Sequence, residues 1–382
     1  MYSSFPKPAS MKKGLSNNWT MGHTSHSNSL RYSLMILLLC GITLSNSKES
    51  IMVSRGLGLV FHVVCFSVLV QISCCFYRFR SSFAALTVIT NALTLFTWWA
   101  LYTKRMQYTK VIHRLKRCGL SKCSWALIFA RFSFVVLLTM IFFPSAASTV
   151  MLNYSTNTDR RCNECWFKIP SVYGKNVYNF FLQVFREFIN WGFTYTIASF
   201  YSSTCLEING IVCKLIRDMK SEDLHIVQQR KKRYRRAVLI MADFESSMSF
   251  TIFLVFCNCF NEFFRGLTQI LHNPQGNERI RISVIAFAYF IGSGITFITA
   301  VFTADNLQHN FGLLRNLMLE TSDPTSTSSN LSDLLQHDLT LLEDKDNVHL
   351  TAWDMFEVRK GLIITTLASL ISYSVILGQL KI

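Results

Sequence analysis

A run of about 20 apolar residues can cross the hydrocarbon layer of a bilayer as a helix, and seven such runs are spaced along this 382-residue chain. They cover residues 56–77, 83–102, 124–145, 178–201, 248–268, 282–304 and 361–379. Lipid offers no water to the peptide groups, so a spanning segment must satisfy its N–H and C=O groups within the protein. A helix does this inside one segment, whereas a barrel needs short strands of alternating polarity, which are absent from the pattern. The expectation is an all-α, polytopic membrane protein with seven transmembrane helices. Composition agrees: half the residues are hydrophobic, 32 are Phe and only 16% are charged, too apolar for a soluble chain of this length.

Residues 1–55 are expected to form a cytoplasmic segment, and 56–382 a single seven-helix domain. The chain is polar to about Leu30, then carries a short apolar run from Met35 to Leu44 followed by Ser45-Asn46-Ser47. A signal peptide places its apolar region earlier, and a span needs about 20 residues, so this run reads as a short interfacial or packed helix ahead of the first span. Orientation follows from Lys and Arg, which cytoplasmic loops retain. With the N-terminus inside, 26 of the 38 basic residues fall on inner segments and 9 on outer ones, with Arg131, Arg186 and Arg265 inside spans. The N-terminus is then cytoplasmic and the C-terminus extracellular, the reverse of a G-protein-coupled receptor.

The formal charge of +16 is spread over loops between apolar runs, not gathered on one folded face, which argues against nucleic-acid binding. The run Arg230-Lys231-Lys232-Arg233-Tyr234-Arg235-Arg236 sits in a long inner loop and reads as a topology determinant, with contact to anionic inner-leaflet membrane lipid as the alternative. Before it, Leu206, Ile208, Val212, Leu215 and Ile216 are spaced as on an amphipathic helix. A Ser/Thr-rich linker around Pro324 leads to a stretch, 334–358, expected to be a cytoplasmic helix entering the last span. The sequon Asn153-Tyr154-Ser155 faces outward, which makes Asn153 a glycosylation candidate; Asn18 and Asn330 begin sequons that face the cytosol.

Signals for enzymatic chemistry are missing: no phosphate-binding Gly loop, no nucleophile elbow and no His-Glu-x-x-His pair. No cofactor is expected. Cys162 and Cys165 form a single Cys-x-x-Cys; a structural zinc site wants four ligands, so a disulfide or two unrelated thiols fit better, and no metal is expected. Cys65, Cys74, Cys75, Cys257 and Cys259 lie inside apolar runs and read as packing residues. Charges inside spans are costly and mark function by default. Arg186 and Glu187 lie in the fourth run, Glu262 and Arg265 toward the outer end of the fifth. Two arrangements fit them. Arg186 and Glu262 can form a buried salt bridge joining helices, or these charges can line a water-filled cavity open to the outside. In the second case Gln183, Arg186, Asn190, Trp191, Asn258, Asn261 and Glu262 are the pocket candidates for a small polar ligand.

The last span ends in Ser372-Tyr373-Ser374-Val375-Ile376-Leu377-Gly378-Gln379-Leu380. This resembles the insect gustatory receptor signature: Thr-Tyr, five mostly apolar residues, then Gln-Phe. Tyr373 and Gln379 match at the same separation; Ser372 stands for Thr and keeps the hydroxyl, and Leu380 stands for Phe. Length, seven runs, an inside N-terminus and a long inner loop before the fifth run extend the resemblance over nearly the whole chain. It implies a receptor of the plasma membrane of chemosensory neurons, a homo- or hetero-tetramer gated by a small-molecule tastant. The last span of each subunit then lines one cation pore, and a ligand pocket opens outward among the second to sixth helices. Tyr373, Ile376 and Gln379 share a helix face with Leu380 at its edge, and a ring of Gln379 and Leu380 pairs a polar girdle with an apolar constriction that gates by dewetting. Sugar-type members carry an acidic residue after the motif Tyr; Ser374 points to bitter or other non-sugar ligands. An odorant receptor subunit shares the architecture but usually lacks the Tyr and Gln pairing. A secondary transporter would show internal repeats, and none are visible.

Overall fold

The computed structural model describes residues 28–42, 48–79, 82–118, 124–152, 172–219, 227–271, 277–320 and 349–379. Asn153, Cys162, Cys165 and Leu380, with the linker around Pro324, lie outside the described residues. Within them the chain is nearly all helical. Nine α-helices are described: α1 (Asn28–Leu39), α2 (Lys48–Phe79), α3 (Ser82–Arg117), α4 (Ser124–Leu152), α5 (Val172–Glu187), α6 (Phe193–Met219), α7 (Val227–Leu271), α8 (Asn277–Glu320) and α9 (Gly361–Gln379). A π-helical turn, Phe188–Gly192, joins α5 to α6 without a break.

The helices outlast the apolar runs that start them. α7 and α8 contain 45 and 44 residues; at about 1.5 Å per residue each exceeds a hydrocarbon layer of about 30 Å roughly twofold. Much of what reads as inner loop is therefore helix extending beyond the apolar zone, because amphipathic faces there still find partners. Windows in α3, α7 and α8 are long and apolar enough to cross a membrane: Ala85–Leu115, Lys232–Thr268 and Ala286–Met318; α2, α4 and α9 carry shorter apolar sections.

α7 runs along α3, α6 and α8, and α8 along α6. Their shared seam holds Phe200, Tyr201, Phe244, Phe256, Phe297, Leu307 and Leu314, all buried. Tyr108 of α3 crosses it, its hydroxyl donating to the Ser247 carbonyl at 2.8 Å. α1 is tucked against α2, α4 and α6. Trp98 Nε1 donates to the Cys40 carbonyl at 2.8 Å and Ser54 Oγ to that of Gly41. Gly41 has φ +80°, and a Cβ there would stand 2.2 Å from the Gly58 Cα. Only glycine allows the chain to turn at that point while passing this close to α2.

The expected cytoplasmic helix over 334–358 is corrected where it is described. Residues 351–357 form a two-stranded hairpin, β1 (Thr351–Ala352) and β2 (Phe356–Glu357), antiparallel with Thr351 opposite Glu357. Its tip places Trp353 and Asp354 at φ 53° and 55°, a left-handed conformation that costs about 1–2 kcal/mol per residue. Tertiary bonds hold it there. Glu245 of α7 accepts from the Thr351 N–H at 2.9 Å and from its hydroxyl, and the Trp353 N–H donates to Ser249 Oγ at 2.8 Å. Gln308 of α8 donates to the Val358 carbonyl at 2.8 Å, and Lys360 pairs with Asp305 at 3.0 Å. The Trp353 ring packs on Phe250 and Phe253. The hairpin thus ties the start of α9 to α7 and α8. Glu245→Ala removes the acceptor of two donors and is expected to cost about 1–3 kcal/mol locally. Amide hydrogen exchange across 351–357 should quicken by about tenfold or more, while exchange in the α3–α7 seam stays unchanged.

Candidate functional site

Three of the charges inside the runs, Glu187, Glu262 and Arg265, meet in one buried polar layer between α3, α5, α7 and α8. Glu187, at the end of α5, accepts from Gln183 Nε2 at 2.8 Å and from the Tyr289 hydroxyl of α8 at 2.8 Å. Arg265 of α7 pairs with Glu262 at 2.8 Å, and its guanidinium carbon stands 3.7 Å from the centre of the Tyr289 ring. Glu262 accepts from the Thr90 hydroxyl of α3 at 2.7 Å. Asn261 reaches the same helix, donating to Thr90 Oγ1 at 2.6 Å and the Leu86 carbonyl at 3.0 Å. Arg265 is fully buried, and Glu187 and Glu262 nearly so. Hydrogen bonds join α3 to α7 and α5 to α8, and the Arg265–Tyr289 cation–π contact joins the two pairs, out of reach of solvent screening.

The Arg186–Glu262 bridge of the sequence reading does not form. Glu262 is taken by Arg265, one turn along the same helix, where the i, i+3 spacing brings the two together without needing two helices to approach. Arg186 is only half-buried, and its buried Nε makes no hydrogen bond.

Beside this layer lies a cleft lined by Trp191, Thr194, Asn258, Glu262, Ser293 and Thr296. Trp191 comes from the π turn, whose extra residue offsets the facing of the side chains that follow it. The Ile189 carbonyl in this turn accepts from the Thr94 hydroxyl of α3 at 3.2 Å. Asn258 Nδ2 donates to Thr194 Oγ1 and, at 3.4 Å, to Thr94 Oγ1. The Trp191 ring stacks on Tyr195 with centroids 4.9 Å apart. It also lies on Gly292 of α8, where a Cβ would stand 2.7 Å from the indole. The cleft is narrow, with no room for a water molecule, and the indole lies over Gly292.

Three of the seven pocket candidates, Trp191, Asn258 and Glu262, line this cleft together. Gln183 and Asn261 belong to the polar layer, Arg186 stands outside the cleft lining, and Asn190 lies on the π turn. Sequence reasoning missed Thr90, Thr94, Tyr289, Gly292, Ser293 and Thr296. The available signal was hydroxyls at helical spacing inside apolar runs, Thr90 with Thr94 and Ser293 with Thr296. Among the described residues no group of His, Cys, Asp and Glu could hold a metal ion.

The motif helix α9 lies against α7 and α8. Tyr373 sets its ring against Phe264, with centroids 4.5 Å apart and planes at 66°. Phe264 directly precedes Arg265, so the motif tyrosine touches the helix segment that carries the charged layer. Ile364, Leu367, Ile371 and Ile376 are exposed on this chain, as is Gln379.

No family model and no curated protein matches this chain in sequence. Its structure is similar to that of the insect olfactory receptor OR5 from Machilis hrabei in complex with eugenol, with a TM-score of 0.62 at 11% identity, covering 92% of this chain and 97% of that one. A second structure of the same receptor superposes with a TM-score of 0.60 at 13% identity and the same coverage. The chain therefore has the fold of a helical membrane receptor. In particular, it has the fold of an insect olfactory receptor.

Proposed function

We propose that this chain is a member of the insect gustatory receptor family, a subunit of a ligand-gated, non-selective cation channel that detects small tastants, bitter or other non-sugar compounds. The observation that carries the reading is the contact of Tyr373 with Phe264. It links the polar layer and cleft to the helix whose motif resembles the pore signature of that family. The nearly full-length likeness to an olfactory receptor solved with a small molecule supports it.

In this reading residues 1–55 are the cytoplasmic N-terminal segment, residues 56–382 the seven-span domain, and the C-terminus is extracellular. Four subunits, alike or related, surround one pore in the plasma membrane of chemosensory neurons, with Tyr373, Ile376, Gln379 and Leu380 at its outer constriction. Asn153 is an outward glycosylation site. The exposed apolar side chains of α9 are covered by neighbouring subunits and lipid. A ligand that opens the cleft under Trp191 moves α7 against α9 through Phe264 and Tyr373. Tighter binding to the open form shifts the closed–open equilibrium. An odorant receptor subunit is the second reading, favoured by the identity of the solved neighbours.

The test is electrical. Cells expressing the chain, alone or with related subunits, should pass cation currents when challenged with bitter compounds, and volatile odorants should be weaker agonists; the reverse order selects the odorant reading. Gln379→Ala should change relative cation permeability or unit conductance by about twofold or more at unchanged surface expression. Unaltered conductance and selectivity would remove Gln379 from the pore.

A further inference from the structure

Three uncharged polar groups at the cleft under Trp191 are buried and have no hydrogen-bond partner, Trp191 Nε1, Asn258 Oδ1 and Ser293 Oγ; Glu262 Oε2 also makes no hydrogen bond but faces the Arg265 guanidinium at 2.8 Å. The residues of the three uncharged groups are at least nine-tenths buried, and the narrow cleft leaves no space for a bridging water. Such groups are rare in folded proteins and call for an occupant. Their chemistry defines it. The indole N–H can only donate. The Asn258 oxygen can only accept, since the amide nitrogen is committed to Thr194 and Thr94. The Ser293 hydroxyl can do either. A hydroxyl group is the smallest ligand group that accepts from one and donates to the other.

Charge narrows the class. Glu262, the only acidic residue lining this cleft, already faces Arg265 and holds the Thr90 hydroxyl, so no uncompensated carboxylate awaits an ammonium group. A ligand carboxylate would meet Glu262 itself. Trp191, stacked on Tyr195, offers an aromatic wall for an apolar body. The ring rests on a glycine and sits on a π turn, whose looser hydrogen bonding is frequent at functional sites; lifting it from Gly292 opens the space.

We propose that the cleft under Trp191 is a subsite for an uncharged small molecule bearing a hydroxyl group, which accepts from Trp191 Nε1 and donates to Asn258 Oδ1. This deepens the receptor reading and rests on it.

Benzyl alcohol, benzyl methyl ether, benzylamine and benzoate form a matched set of probes, titrated by calorimetry into the purified full-length chain in lipid nanodiscs. Benzyl alcohol should bind about tenfold more tightly than the ether, which accepts but cannot donate, and than either charged analogue. Trp191→Phe keeps a ring, loses the donor and should weaken benzyl alcohol by about tenfold. The comparison of alcohol with ether in the unaltered chain needs no variant to fold. Equal binding of alcohol and ether, preference for a charged analogue, no binding by the set, or undiminished binding of the alcohol to Trp191→Phe each overturns the subsite. Currents recorded in parallel separate the two readings: ligand-evoked currents without a hydroxyl preference keep the receptor and reject the subsite, and hydroxyl-selective binding without current does the opposite.

Discussion

Arg265→Met is expected to destabilise the protein by about 3–5 kcal/mol, the usual result of removing one partner from a buried ion pair. The guanidinium is fully buried between Glu262 and the Tyr289 ring, with Glu187 on the same tyrosine. Without it, two carboxylates remain inside the helix bundle with only the hydroxyls of Thr90 and Tyr289 and the Gln183 amide as donors. Neutral hydrogen bonds do not replace a compensating charge in a medium that screens so little. Thermal unfolding followed by size exclusion should move to much lower temperature. The double variant Arg265→Met, Glu262→Gln removes the stranded charge and should recover a large part of the loss, because residues in one network are not additive. A single variant as stable as the parent would show that the arginine does not hold the layer together.

Gly41→Ala is the second large effect. Alanine at φ +80° costs about 1–3 kcal/mol in backbone strain, and its Cβ would sit 2.2 Å from the Gly58 Cα. That neighbour is backbone, so it cannot rotate away as a side chain would. α1 must separate from α2, and the bonds from Ser54 to Gly41 and from Trp98 to Cys40 go with it. The combined cost is expected to reach about 4 kcal/mol, seen as loss of folded protein. Gly58→Ala is the control. Its Cβ would meet nothing closer than Trp98 at 3.4 Å, so the change should stay within about 1 kcal/mol. Equal effects at both positions would mean that the close approach of α1 to α2 does not govern stability.

Both predictions rest on groups whose importance is unequally visible in sequence. Arg265 and Glu262 stand out as charges in an apolar run, and that run is helical in the structure. Their pairing with each other, rather than with Arg186, is a matter of local rotamers on one turn. Gly41 is an ordinary glycine until its backbone is seen to pass against Gly58 of α2. The hairpin at 351–357 has the same character: acidic and apolar residues in alternation read as helix, and the strands form because Glu245, Ser249 and Gln308 supply the missing partners. Trp191, Asn258 and Glu262 were identifiable as polar or amphipathic residues in spans, but their convergence on one cleft depends on the π turn, which no periodicity predicts.

By itself, then, the sequence determined the helices and their apolar faces, because an apolar run that lacks water has almost no other way to satisfy its backbone. It also marked the buried charges and the Tyr373–Gln379 motif, since such residues are expensive or unusual where they stand. The tertiary structure alone decided which charge meets which, that Trp191 closes over Gly292, and that Tyr373 leans on Phe264. These depend on where helices far apart in the chain cross, and a shift of one residue in a crossing turns a different side chain inward.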